Sequence, residues 1–195
     1  GPAHAEQAVR QAVAAFPGWR EVAVGERARL CREAARLMSE RRFELAAWQV
    51  LEVGKAWREA DADVAEAVDC WNYYADVAER LLDWRSTRDF PGEHNATRYE
   101  ALGPAAVIAP WNFPLAIFTG QVTAALAAGN AVIAKPAEQT PLIAAEAVRL
   151  MYQAGIPTDV LHLLPGEGGV VGARLVADGR VAGVAFTGST ETARG

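Results

Sequence analysis

Residues 105–135 constrain this chain more than any other stretch. Ala105-Ala106-Val107-Ile108-Ala109 is short, apolar and partly β-branched, the pattern of a strand buried on both faces of a parallel sheet. Pro110 has no N–H for a ladder bond, and Pro114 presets φ for a first helical turn. Trp111, Asn112 and Phe113 must therefore occupy the loop where strand hands over to helix. Asn112 then stands at the carboxyl end of a strand, where open α/β sheets hold their ligands. A helix is expected over residues 115–128, stopped by Gly129-Asn130. Ala131-Val132-Ile133-Ala134 reads as a second buried strand that runs directly into a polar cluster, Lys135-Pro136-Ala137-Glu138.

The same alternation continues to the end of the sequence. Strands are expected at residues 105–109, 131–134, 160–164 and 181–186, with helices at 115–128, 141–154 and 169–177. Repeated βα units of this length imply a parallel sheet with helices on both faces. The earlier part of the chain has a different rhythm. Residues 5–84 are helical in pattern, with Pro17-Gly18 the clearest internal break. Leu30, Ala34, Leu37 and Met38 form one apolar stripe, and a second helical run over residues 45–53 stops at Gly54. Val64, Val68, Trp71, Ala75, Ala78 and Leu82 form another stripe, with Glu66 and Tyr73 on the opposite face. The aromatic residues Trp48, Trp57, Trp71 and Trp84 are interleaved with these helices and are read as packing. Residues 86–100 lose the helical period and mark a boundary. The expected organisation is a helical segment over 1–85, a linker and the start of an arm over 86–102, and an incomplete Rossmann-like core over 103–195. In class this is α/β, with N-terminal helices packed on a parallel sheet.

Composition narrows the function. A net charge of −5 and a pI near 5.3 disfavour a nucleic-acid or anionic-membrane surface, either of which needs a positive field. No apolar run reaches the roughly 18 residues of a membrane span, and Gly1-Pro2-Ala3-His4 does not open a signal peptide, so a cytoplasmic address is the default. The two cysteines, Cys31 and Cys70, fall in the middle of expected helices, away from the helix N-terminus that activates a thiol, and are read as packing. His162 lies in an apolar strand and reads as a satisfied core histidine; with His4 and His94 remote in sequence, no metal site is expected.

Several side chains carry chemistry at the strand ends. Asn112 offers a neutral amide donor that can stabilise an oxyanion without titrating near neutral pH. Lys135 and Glu138, three residues apart beyond a strand, can both reach one ribose, and a carboxylate there accepts from hydroxyls while repelling a 2′-phosphate. Pro165-Gly166-Glu167-Gly168-Gly169-Val170-Val171-Gly172 is a glycine-rich turn of the kind that approaches a dinucleotide.

Taken in order, residues 110–114, 135–138 and 186–190 (Phe186-Thr187-Gly188-Ser189-Thr190) resemble the aldehyde dehydrogenase superfamily. Residues 115–121 and 138–145 are similar to the L-glutamate γ-semialdehyde (pyrroline-5-carboxylate) dehydrogenase module of bifunctional bacterial proline-utilisation proteins, and the likeness runs from about Arg41 onward. That resemblance implies NAD as cofactor, facing Ala109, Pro110, Trp111, Lys135, Ala137, Glu138, Gly168, Phe186, Gly188 and Ser189. It places the glycine-rich loop beside the adenine and the phosphates at Gly188-Ser189. It makes Asn112 the donor to the thiohemiacetal oxygen and puts Glu66 and Phe113 beside the aldehyde substrate. Glu52-Val53-Gly54-Lys55 also resembles a family signature, though by itself it reads as a helix end. The position where the family often has glycine, five residues after Gly188, is Ala193 here.

The family's catalytic cysteine and its two later glutamates follow the last residue present, so this chain is expected to be inactive without a C-terminal catalytic region. A homo-oligomer joined by an arm is implied as well. In bifunctional members the resemblance adds a covalently linked FAD-dependent proline dehydrogenase domain. Two other readings stand beside this one: a different NAD(P)-dependent aldehyde specificity, and a non-catalytic assembly or regulatory module.

Overall fold

A computed structural model describes residues 1–194; Gly195, the last residue of the expected incomplete Rossmann-like core, lies outside the described residues. Four helices come first: α1 (Pro2–Arg20), α2 (Val24–Glu40), α3 (Arg42–Val53) and α4 (Trp57–Leu81). A two-stranded antiparallel ribbon follows, β1 (Arg85–Ser86) and β2 (Ala96–Thr97). The alternating unit comprises β3 (Ala105–Ile108), α5 (Ala116–Ala127), β4 (Val132–Lys135), α6 (Pro141–Gln153) and β5 (Leu161–Leu163). A π-helical turn (Gly168–Gly172), α7 (Ala173–Val176), β6 (Gly183–Phe186) and α8 (Thr190–Arg194) complete it. No described helix is long and apolar enough to cross a membrane.

The four strands are all parallel, in the order β5-β4-β3-β6. In chain order this is 3-2-1-4, the order of a Rossmann half with the reversal point between β3 and β6. Successive residues of a strand face opposite sides of the sheet, and here the two faces have different covers. Val107, Val132 and Ala134 join the core built from α2 to α6, whereas Ala106 and Ile133 join a smaller core with Ala5, Ala8, Val9 and Ala12 of α1 and Leu175 of α7. The N-terminal helical segment is therefore divided. α1 covers one face of the sheet, with only Trp19 of its buried residues reaching the larger core, and the other three pack on helices of the opposite face.

α4 is the spine of the larger layer and packs against α2, α3 and α5. Its stripe of Val64, Trp71, Ala75 and Ala78 is buried as its spacing requires, while Tyr73 and Glu66 face solvent. Burial of a large apolar side chain such as Phe118, wholly inaccessible on α5, contributes roughly 1.5–3 kcal/mol.

Three expectations need correction. Pro17 does not break the first helix, which runs through it to Arg20. Only the final turn lies beyond the proline, and Trp19 is buried with its Nε1 donating to the Leu126 carbonyl at 3.2 Å, so tertiary anchoring outweighs the missing backbone bond. Trp57 and Trp84 are not core; they are 50% and 60% exposed, and Trp84 stacks beneath the Arg98 guanidinium instead. The helix expected over residues 169–177 begins as a π-helical turn, because Gly168, Gly169 and Gly172 give its first turn little side chain to hold α-geometry.

Candidate active site

The carboxyl ends of three adjacent strands lie in one register row. Ile108 of β3 pairs with Lys135 on one side and with Phe186 on the other. Just beyond it, Ala109 N donates to Lys135 O at 3.2 Å and Thr187 N donates to Ile108 O at 3.0 Å. Three motifs far apart in sequence thus leave the sheet side by side. Gln121 of α5 ties across this edge, its Nε2 donating to Thr187 Oγ1 at 2.8 Å, while its Oε1 is buried without a partner among the described residues.

The loop after β3 is held from outside. Pro114 sits in a turn closed by Ile117 N donating to Phe113 O at 3.3 Å, and α5 has no side-chain cap of its own. Asp63 of α4 supplies one. Its carboxylate, 1% exposed, accepts from Leu115 N at 3.4 Å and Ala116 N at 3.1 Å. Burial pushes the Asp63 carboxyl above its ordinary range, opposed by the Lys55 ammonium and by those two amides. Lys55 Nζ lies 3.2 Å from Asp63 Oδ2, out of hydrogen-bond alignment, and 4.3 Å from the Phe113 ring centroid.

Asn112, Trp111 and Phe113 are exposed and line a recess of about 500 Å³ together with Val53, Gly54, Lys55, Ala56, Glu59 and Ala62. Gly54 caps α3 in the left-handed region (φ 67°), so the signature Glu52-Val53-Gly54-Lys55 is a helix end as read. It is also more than that, because the turn aims Lys55 at the Asn112 loop. Glu66 does not line this recess; it is exposed on α4, one turn beyond Asp63.

On β4 the Lys135 side chain is 4% exposed, and its ammonium makes a single hydrogen bond among the described residues, to Pro136 O at 3.1 Å. Burial lowers its pKa, and the Glu138 charge opposes the shift. Ala137 is half-buried and Glu138 exposed, and among the described residues the two charges form no direct ion pair. Gly172 packs on the Lys135 stem: a Cβ there would lie 3.6 Å from Cδ. That contact brings the Gly168–Gly172 turn to the same strand end. On the third loop the Phe186 ring folds over Gly188, where a Cβ would come within 2.6 Å of Cζ, so any side chain there must displace the ring. Ser189 caps the helix after it, its Oγ accepting from Thr192 N at 3.1 Å.

A model of the aldehyde dehydrogenase family matches residues 1–195. The chain belongs to that family. Bifunctional protein PutA of Escherichia coli K12 is 50% identical over 192 residues, which cover 98% of this chain and 14% of that protein. The 1-pyrroline-5-carboxylate dehydrogenase of Geobacillus thermodenitrificans is 43% identical over 187 residues, covering 96% of this chain and 36% of that protein. Among solved structures, a bifunctional proline utilization A superposes over 100% of this chain and 20% of its own, with TM-score 0.97 and 47% identity. A Thermus 1-pyrroline-5-carboxylate dehydrogenase with bound NAD covers 98% of this chain and 37% of its own, with TM-score 0.93 and 46% identity. The chain thus spans well under two thirds of the length of each of these relatives.

Both thiols in this aldehyde dehydrogenase segment have their pKa raised. Cys31 is buried between helices with its pKa pushed up to about 12 by desolvation. Cys70 is half-buried on α4, its pKa raised by burial and by the nearby acidic side chains Glu66, Asp69 and Asp63.

Proposed function

We propose that this chain supplies part of the NAD site and the oxyanion donor of an enzyme that oxidises L-glutamate γ-semialdehyde to L-glutamate. The observation that carries the reading is the register row Lys135–Ile108–Phe186, which sets the three family motifs on one sheet edge beside the strand-order reversal. The identities of 43% and 50% with 1-pyrroline-5-carboxylate dehydrogenase and PutA support the choice of substrate.

The donor set suits a nicotinamide dinucleotide. Lys135 has three ammonium hydrogens and engages one acceptor, which leaves donors for ribose oxygens, and the exposed Glu138 carboxylate can accept from the ribose hydroxyls. A vicinal diol both donates and accepts, and this lysine–glutamate pair complements it. Gly172 lets the glycine-rich turn pack against the Lys135 stem, and Gly188 lets the Phe186 ring lie against the third loop. Bound NAD would supply the hydride acceptor for the oxidation.

In this reading the chain's own residues bind and position. Asn112 donates its amide N–H to the aldehyde oxygen as negative charge develops there, an interaction stronger in the transition state than in the bound aldehyde. Phe113 and Trp111 form an apolar rim that excludes water from the reacting carbon. Glu66 meets the substrate ammonium only if the substrate extends beyond the recess along α4. The nucleophilic thiolate and the base come from parts of the parent outside these residues, a view supported by the two raised-pKa thiols here. The partition at about residue 86, an arm-mediated homo-oligomer and a fused proline dehydrogenase domain belong to the same proposal.

The test is NADH absorbance with the intact parent and a panel of aldehydes. Highest kcat/KM for glutamate γ-semialdehyde is expected; a clear preference for an aldehyde without an α-amino acid group would replace this specificity with another.

A further inference from the structure

We infer that Asp63 and Lys55 are positioning residues for the oxyanion donor: a buried ion pair that fixes the Asn112 loop from beneath. The inference rests on the oxyanion role proposed above for Asn112 and assigns a function to two residues outside the family motifs at the strand ends.

The loop of residues 110–114 has nothing of its own to define its exit. α5 begins without a side-chain cap, and Leu115, its first flanking residue, cannot provide one. Asp63 does so across the helix interface, bonding the two backbone amides that directly follow Pro114. Its position is itself fixed, because α4 packs against α2, α3 and α5 and its Ala60, Val64, Ala67 and Trp71 are wholly buried. A carboxylate so deeply buried needs compensation, and the two amides with Lys55 at 3.2 Å supply it. Lys55 adds a second restraint, since its ammonium also sits 4.3 Å from the ring centre of Phe113, the residue next to Asn112. One side of Asn112 is thus clamped through Phe113 by Lys55, and the chain just after Pro114 is clamped by Asp63. The lysine comes from the left-handed turn at Gly54, so an α3 helix end, α4 and the strand-to-helix loop meet in a single electrostatic knot.

Nothing in this arrangement touches the reacting atoms. Its effect is geometric: an amide donor displaced by about 1 Å loses on the order of a hundredfold in rate, because the hydrogen bond must meet the oxygen where charge develops.

The experiment is a double-mutant cycle on kcat in the intact parent enzyme, combining Asp63→Asn with Asn112→Ala and, independently, Lys55→Met with Asn112→Ala. Asp63→Asn keeps the volume but exchanges an acceptor for a donor facing the Leu115 and Ala116 amides. Lys55→Met keeps the stem and removes the charge. Each single variant should lower kcat by roughly ten- to a hundredfold, with the dissociation constant for NAD+ changed less than about threefold. In the Asn112→Ala background neither should lower kcat further. Lys55→Arg, which keeps a cation within reach of both partners, should recover most of the loss. Should Asp63→Asn fail to fold, the Lys55 cycle decides between the outcomes, because Lys55 is at the rim of the recess. Multiplicative losses, in which each substitution costs as much without Asn112 as with it, overturn the positioning role. A near-normal kcat for Asn112→Ala alone overturns the oxyanion reading instead, so the two failures are distinguishable.

Discussion

Among the described residues Glu52 is the only side chain that caps α6, and removing it should cost a measurable part of the fold's stability. Thr140, at the N-cap position, makes no side-chain bond to the helix. The Glu52 carboxylate, reaching over from α3, accepts from Leu142 N at 2.7 Å and from Ile143 N at 3.0 Å. Two N–H groups at a helix start are thereby satisfied by one negative charge, which also opposes the positive end of the helix dipole. Loss of an N-cap costs about 0.5–2 kcal/mol, and the dipole interaction about 0.3–1 kcal/mol more. Since Glu52 is half-buried and partly screened, about 2 kcal/mol is expected for Glu52→Ala. At roughly 2–4 °C per kcal/mol for a chain of this size, Tm should fall by about 4–8 °C. Glu52→Gln retains one acceptor without the charge, and about half the shift is expected. Thermal melts followed by circular dichroism give the magnitudes, and hydrogen exchange gives the place: the Leu142 and Ile143 amides should exchange faster in both variants. Both variants melting within about 1 °C of the parent would refute the capping argument, because no other described group replaces the carboxylate on these amides.

The cofactor preference follows from Glu138: the parent should use NAD+ in preference to NADP+, and Glu138→Ser should narrow the ratio of kcat/KM values, whereas equal use of both cofactors by the unmodified enzyme would sink the ribose assignment. Gly188→Ala forces the Phe186 ring off the third loop, so KM for NAD+ should rise with kcat less affected; an unchanged KM would mean that the loop lies away from the cofactor. Acid should weaken the Glu6–Arg180–Asp178 cluster. Hydrogen bonds from Arg180 hold the Asp178 and Glu6 carboxyls below their ordinary values of 3.8 and 4.5, so their contribution is present above those values and lost as pH falls through the depressed ones. The difference in Tm between parent and Asp178→Asn should therefore shrink steadily below about pH 4, and a constant difference would contradict it.

The sheet was legible because its strands end in residues that cannot continue them. Pro110 and Pro136 forbid ladder donors, and the apolar runs before them are too short for helices. Each expected strand is present close to its expected bounds, and α4 follows its stripe of Val64, Trp71 and Ala75. Strand order was not legible, since 3-2-1-4 depends on crossovers that local pattern does not encode. Nor was the division of the N-terminal helices between two faces of the sheet: α1 and α2 both carry alanine-rich stripes, and nothing local says which face each will cover.

The site divides the same way. Asn112, Lys135, Glu138 and Gly188 stand in sequence motifs, and the register row brings their strand ends together. Asp63 had no such mark, and the Glu52-Val53-Gly54-Lys55 signature read only as a helix end, with nothing to say that Glu52 caps another helix. Each is an acidic residue in an ordinary helical stretch, and each acts on a helix start 52 or 90 residues away, so only the packed structure reveals it. An acidic residue on the apolar side of the α4 stripe was the one available hint: Asp63 directly precedes Val64, on a face that otherwise holds alanine, valine and Trp71.

If the three strand ends together hold one cofactor and one oxyanion donor, a structure of the intact parent bound to NAD+ and glutamate, the expected product, should show both at once. The adenosine ribose hydroxyls should lie within hydrogen-bond distance of Lys135 Nζ and the Glu138 carboxylate, with the side-chain amide of Asn112 donating to the γ-carboxylate of glutamate. A ribose lodged elsewhere, or an Asn112 amide turned away from the product oxygen, would contradict that arrangement.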